Sequence, residues 1–174
     1  MQGLVQRGAN KQAPRVNMVP DDWGADVQPW LNVFATAYPF LEDLRLKRMA
    51  VSDESLEFLA LNFDDFKTFS MLSCEGFSTL GLEAIATHCK NLKELDIQEN
   101  GIDDLGGDWL SYFLENLTLL EVLNFLTLTS EVSFDALESL LSRCKSLRVL
   151  KVNRIINLEQ LGKLLALALI ICVV

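Results

Sequence analysis

Signatures of metal binding and covalent catalysis are missing from this 174-residue chain. Its four cysteines, Cys74, Cys89, Cys144 and Cys172, form no Cys-x-x-Cys pair, and His88 is the single histidine. A structural zinc site needs four clustered ligands, so none is expected. The cysteines read as buried thiols in a reducing compartment. His88, next to Cys89, reads as a surface helix residue rather than half of a catalytic dyad. A Gly-rich phosphate loop, His-Glu-x-x-His and Gly-x-Ser-x-Gly are also absent. The paired carboxylates Asp53-Glu54, Asp64-Asp65 and Asp103-Asp104 fall at expected loops or helix starts, where they complement a helix dipole. No enzyme class is supported.

Long apolar runs are scarce as well. Residues 1 to 19 lack the apolar core of a secretory signal. Leu164 to Val174 is an unbroken apolar stretch of eleven residues, well short of the roughly 20 that span a bilayer as a helix. A tail anchor is the alternative reading of that stretch, and a raw end left by truncation or altered splicing is the expected one. Half of the residues are hydrophobic and 22% are charged, a globular balance. The formal net charge is −9, with a sequence pI of about 4.6. Such a surface repels nucleic acid and anionic lipid, so neither is an expected partner. An anion site must come from a local basic cluster.

What is present is a recurrent leucine pattern. It reads Leu41-x-x-Leu44-x-Leu46, Phe66-x-x-Phe69-x-Met71, Leu92-x-x-Leu95-x-Ile97, Leu120-x-x-Leu123-x-Phe125 and Leu147-x-x-Leu150-x-Val152. The five starts lie 25 to 28 residues apart. A steady period in that range is the signature of a leucine-rich repeat. The predicted fold is an α/β leucine-rich-repeat solenoid of about five strand-plus-helix units, with an N-terminal helical segment. Two-residue alternation points the last two anchors of each strand inward and the intervening residue outward. One such unit cannot bury its apolar face alone, so neighbours must stack.

Four segments are expected. Residues 1–16 read as irregular, with Gly3, Gly8 and Pro14. Residues 17–38 read as a helical segment. Its helix, about Val27 to Tyr38, carries Val27, Trp30, Leu31, Phe34 and Ala35 on one stripe, with Asp26 as a cap and Pro29 in the first turn. Residues 39–165 hold the repeats, and 166–174 form a divergent apolar tail. Ser52, Ser78, Asp103 or Asp104, Ser133 and Asn157 stand where helix N-caps are needed, and Asn157 with Gln160 has capping-box spacing. Leu56, Leu59, Ala60 and Phe63, and Leu82, Ile85, Ala86 and Cys89, form helix stripes. Cys89 and Cys144 fall just before a repeat start, which resembles the cysteine-containing subclass and points to packing rather than reactivity. Because a solenoid needs polar ends, the apolar finish reads as a piece of a longer array.

The outward strand positions carry the candidate binding chemistry. Arg45, Lys47 and Arg48 cluster in the first repeat; Asp96, Gln98 and Glu99 match them in the third, and Lys151, Asn153 and Arg154 in the fifth. Three cations within four residues of an acidic chain suit an anion, because Arg and Lys hold phosphates by charge and directed N–H bonds. The alternative is a solvated cluster paired with neighbouring acids.

Several stretches resemble the plant auxin receptors of the transport-inhibitor-response/auxin-signalling F-box type. They are Asn17-Met18-Val19-Pro20-Asp21-Asp22-Trp23-Gly24, Leu44-Arg45-Leu46-Lys47-Arg48-Met49, Ser73-Cys74-Glu75-Gly76-Phe77-Ser78-Thr79, Asn91-Leu92-Lys93-Glu94-Leu95-Asp96 and Ser130-Glu131-Val132-Ser133-Phe134. The resemblance covers about Asn17 to Leu165. It implies a nuclear, non-catalytic recognition subunit of a cullin-RING (SCF) ubiquitin ligase. In that family an F-box bundle docks on a Skp-type adaptor, and inositol hexakisphosphate sits inside a horseshoe of many repeats. Auxin then glues in the degron of an Aux/IAA repressor.

By this resemblance Lys47 and Arg48 match the basic pair that contacts the inositol phosphate. Ser73 and Glu99 match inner-face positions near the repressor. Arg7 is a further phosphate-contact candidate, but its alignment needs a shift. Three departures follow. No F-box is visible before residue 17, so adaptor docking by this chain is not expected. The family's segment with two repressor-touching phenylalanines is replaced by Asn10-Lys11-Gln12-Ala13-Pro14-Arg15-Val16. Later repeats, with most phosphate ligands and the auxin pocket, do not follow Leu165. The second reading is a leucine-rich-repeat interaction module without ligand or ligase activity.

Overall fold

The computed structural model describes residues 4–6, 15–103, 109–127, 134–152, 159, 162 and 170–173. Along the chain run β1 (Leu4–Gln6), β2 (Arg15–Met18), β3 (Ala25–Asp26), α1 (Gln28–Ala37), β4 (Asp43–Lys47), β5 (Met49–Ala50) and α2 (Asp53–Asn62). Then come β6 (Thr68–Leu72), β7 (Phe77–Ser78), α3 (Thr79–His88), β8 (Glu94–Asp96), β9 (Ile102–Asp103) and α4 (Trp109–Asn116). The series continues with β10 (Val122–Asn124), α5 (Phe134–Arg143), β11 (Val149–Val152) and β12 (Ile170–Val173).

One sheet runs β1-β2-β4-β6-β8-β10-β11-β12. Every pairing in it is parallel except β1 with β2. The helices pack in sequence order, α1 on α2, α2 on α3, α3 on α4 and α4 on α5. Small parallel pairs, β3 with β5 and β7 with β9, link successive units beside the main sheet. The architecture is mixed α/β with a parallel sheet.

The core lies between strands and helices. Every anchor of the five leucine patterns is buried, none more than 5% exposed. The helix stripes meet them: Leu56, Leu59, Ala60 and Phe63 from the second helical unit, and Leu82, Ile85, Ala86 and Cys89 from the third, are all buried. Parallel strands cannot be joined by a tight turn, so each crossover helix covers the same face of the sheet and closes the core.

Local chemistry sets the helix starts. Ser52 accepts from the Ser55 N–H at 3.2 Å, and Ser78 accepts from the Leu80 N–H at 3.1 Å, so both satisfy orphan donors as expected. Asp26 accepts from the Gln28 N–H at 2.9 Å, with Pro29 in the first turn of α1. Asp103 instead belongs to β9. Asp104, Ser133, Asn157 and Gln160 lie outside the described residues.

The N-terminal end differs from the sequence reading. The stretch 1–16 is not irregular throughout, because β1 (Leu4–Gln6) pairs antiparallel with β2, Val5 lying opposite Val16 and Gln6 opposite Arg15. Strand β2 also runs into the segment expected to be helical, taking in Asn17 and Met18. The reason is alternation: Val16 and Met18 are buried while Arg15 and Asn17 are exposed, so β2 adds one more parallel strand beside β4. Four residues among glycine, proline and polar neighbours are too few for that period to stand out. In the apolar tail, Ile170–Val173 pairs in register with Val149–Val152.

Candidate functional site

The outward residues of consecutive strands fall into one row. Asn17, Arg45, Ser70, Asp96, Asn124 and Lys151 are direct neighbours across the parallel ladder. Asp96 stands between cations in this row. Burial pushes its carboxyl above the usual range, against hydrogen bonds from the Gln98 backbone and Asn124 and the charges of Lys151 and Arg45.

A second row follows the strand ends. Arg48, Ser73, Glu99 and Thr127 all have positive φ, between 54° and 58°, at equivalent places in four successive units. Left-handed backbone is unfavourable for residues with a Cβ, by about 1–2 kcal/mol each. Cross-unit hydrogen bonds help hold these turns. The Arg48 N–H donates to Leu72 O at 3.0 Å, the Ser73 N–H to Gln98 O at 3.4 Å and the Glu99 N–H to Leu126 O at 3.0 Å. Thus three of the four residues singled out in the sequence, Arg48, Ser73 and Glu99, share one structural position. Lys47 precedes the first of them and is opposite Leu72 in the ladder.

The buried Asn100 was missed in the sequence. Its Oδ1 accepts from the Cys74 N–H at 2.7 Å, and its Nδ2 donates to Met71 O at 3.0 Å. It therefore fixes the turn that carries Ser73. The only local signal is an asparagine directly after the outward triplet ending in Glu99, which is easily read as a loop residue.

The basic cluster divides in two. Asp43, only 7% exposed, takes Arg45 Nε at 3.3 Å and Arg15 Nε at 3.5 Å. Arg45 is therefore paired with a neighbouring acid, as the solvated-cluster alternative supposed, although it shares that acid with Arg15. Among the described residues, neither Lys47 nor Arg48 makes an ion pair. Arg48 lies over the ring of Trp23, its guanidinium carbon 5.7 Å from the centroid. Ser73 Oγ donates to Glu99 Oε2 at 2.9 Å, so those two candidates form a pair of their own. Arg7, Asn153 and Arg154 lie outside the described residues.

Among the described residues no cluster of His, Cys, Asp and Glu suits a metal ion. Burial raises the thiols of Cys74 and Cys144 and pushes Cys89 up to about 12, which disfavours the reactive thiolate. His88 is exposed at the end of α3. Asp53 caps the neighbouring helix, accepting from the N–H groups of Ser78 and Gly81 and from Ser78 Oγ. No helix among the described residues is long and apolar enough to cross a membrane.

The family model for the transport inhibitor response 1 protein domain matches residues 12–46, which take in β2 and α1 and nearly all of β4. A transport inhibitor response 1-like protein of Oryza sativa subsp. japonica is 48% identical over 148 residues, 85% of this chain and 25% of that protein. The chain belongs to the plant transport inhibitor response family of F-box leucine-rich-repeat proteins. GRR1-like protein 1 of Arabidopsis thaliana is 49% identical over 152 residues, 87% of this chain and 26% of its own length. Coronatine-insensitive protein 1 of the same plant is 36% identical over 153 residues, again 87% and 26%. The chain thus spans about a quarter of the length of these family members.

Proposed function

We propose that this chain is part of an auxin-receptor-type recognition subunit of a cullin-RING ubiquitin ligase, acting in the nucleus on Aux/IAA repressors. Its fold is a leucine-rich-repeat solenoid of about five units of the cysteine-containing subclass. Its role is non-catalytic. Inositol hexakisphosphate is the proposed cofactor, with Lys47 and Arg48 supplying part of its cradle. Ser73 and Glu99 are the proposed contacts to the repressor side. Family membership supports this reading, and one observation carries it: among the described residues, the adjacent cations at the end of β4 have no ion-pair partner, whereas nearby Arg45 has one. A desolvated polyanion gains most from charges that no acid has already neutralised. Two cations hold such a ligand more weakly than the full ring of the whole receptor.

The test is thermal unfolding of the chain with and without inositol hexakisphosphate at fixed ionic strength. A ligand specific for the folded state stabilises it by about 2.7 kcal/mol at one hundred times its dissociation constant. The reading expects a rise in Tm that Lys47→Ala with Arg48→Ala abolishes. A cooperative transition with no shift favours the second reading, an interaction module without ligand. That reading draws its support from Asp43, which already occupies Arg15 and Arg45.

A further inference from the structure

We propose that Trp23 is a positioning residue that holds Arg48 ready for a phosphate while leaving its charge and its N–H donors unspent. The inference rests on the reading of Lys47 and Arg48 as a polyanion site. It comes from a contrast within one strand region. Arg45 is held by a carboxylate that it shares with Arg15, so its Nε–H is engaged at 3.3 Å and its charge is partly offset. Arg48 is held by a ring face, 5.7 Å from guanidinium carbon to centroid, inside the reach of a cation–π contact. A π face attracts the cation through its quadrupole and takes no N–H edge. The guanidinium keeps its in-plane donors for a bidentate phosphate contact.

The backbone places the two residues together from both sides. The Gly24 N–H, next to Trp23, donates to Arg48 O at 2.9 Å. Beyond it, Ala25 pairs with Met49 in the β3–β5 ladder. The Arg48 N–H is tied to Leu72 O at 3.0 Å. Gly24 has φ of +79°, a left-handed turn residue that brings the chain back alongside the end of β4. Arg48 is thus fixed at its own N–H, its carbonyl and its side chain. A long side chain ordered in advance loses less rotamer freedom on binding. Trp23 remains 61% exposed, so replacing it removes little of the core.

The experiment uses the whole chain with Trp23→Ala, Trp23→Phe and Arg48→Ala, and the Trp23→Ala/Arg48→Ala double variant. The probe is inositol hexakisphosphate, measured by titration calorimetry at fixed salt. In parallel, NMR reads the upfield ring-current shift of the Arg48 side-chain protons. Expected are an upfield shift in the parent that Trp23→Ala removes, and affinity that falls about three- to tenfold in Trp23→Ala but much less in Trp23→Phe. Adding Trp23→Ala to Arg48→Ala should then cost nothing further, because the aromatic ring acts through Arg48. An absent ring-current shift overturns the proposal. So does a shifted Arg48 whose removal from the ring leaves affinity unchanged, or an equal loss on adding Trp23→Ala to Arg48→Ala. A parent that shows the shift and binds no polyphosphate overturns the anion-site reading, and with it the purpose assigned to Trp23.

Discussion

The carboxylate of Asp53, in the first turn of α2, accepts the Gly81 N–H of α3 at 2.9 Å. The same carboxylate takes the Ser78 N–H at 2.7 Å and Ser78 Oγ at 2.6 Å. One unit therefore caps the helix of the next, and stacking becomes directional rather than merely apolar.

That contact leaves no room for a side chain on Gly81. A Cβ there would lie 2.5 Å from Asp53 Oδ1 and 2.6 Å from Leu56 Cδ1. Alanine is intrinsically better than glycine in a helix by about 1 kcal/mol. Overpacking and loss of the cap outweigh this gain, so Gly81→Ala should destabilise the chain by about 1–2 kcal/mol net. Urea unfolding measures it; a neutral or stabilising result would show that α2 and α3 separate easily.

Asn100 is a stitch of a different kind. Asn100→Ala orphans the buried Cys74 N–H and Met71 carbonyl at once. Each unmade buried hydrogen bond costs about 1–3 kcal/mol, and the expected loss lies in that range or above. Chemical denaturation gives its size. Asn100→Asp provides the control, since it keeps the acceptor and removes the donor to Met71; if all three chains unfold alike, the stitch contributes nothing.

Asp96 gives a pH signature. Its folded pKa is raised above 3.8, chiefly by burial, so the folded chain holds this proton more tightly than the unfolded chain. The associated stability is present below the unfolded pKa and is lost as pH rises through the folded one. Asp96→Asn lacks this term. Its stability relative to the parent should rise as pH increases through that window and level off above it. Unfolding both chains from about pH 3 to pH 7 checks the sign; a difference that shrinks with pH contradicts the assigned burial effect.

The buried thiols predict slow chemistry. Cys74, Cys89 and Cys144 are each at most 2–3% exposed and have raised pKa values. In a Cys172→Ser variant, Ellman's reagent at mildly alkaline pH should label none of them until the chain opens. Rapid labelling of the folded chain would show that the repeat junctions are loose.

The site itself predicts a loss confined to ligand. Among the described residues, Lys47→Ala with Arg48→Ala removes no ion pair and no fully buried side chain. The unliganded Tm should change little while the response to inositol hexakisphosphate disappears. A large fall in the unliganded Tm would mean that these cations serve the fold rather than a ligand.

Much of this was legible in the residues alone. The leucine anchors, helix stripes and caps at Ser52 and Ser78 are local and periodic, so each appears within one window of sequence. Strand β2 was not legible: Val16 and Met18 make too short an alternation and depend on β4 to define their buried face. Asn100 was hidden for a related reason, since its partners are Met71 and Cys74 in the preceding unit.

The sequence by itself determined the repeat and the chemistry available on its outward positions, because alternation and period act over a few neighbouring residues. It also placed Arg45, Lys47 and Arg48 within four residues of one another. Only the tertiary structure decided which of these charges remains unspent. Strand geometry returns Arg45 to Asp43, two residues away on the same face. Arg48 meets Trp23 only because a left-handed turn at Gly24 is pinned to the end of β4. Charge pairing depends on distances of a few ångströms, and for residues far apart in the chain the sheet register sets those distances.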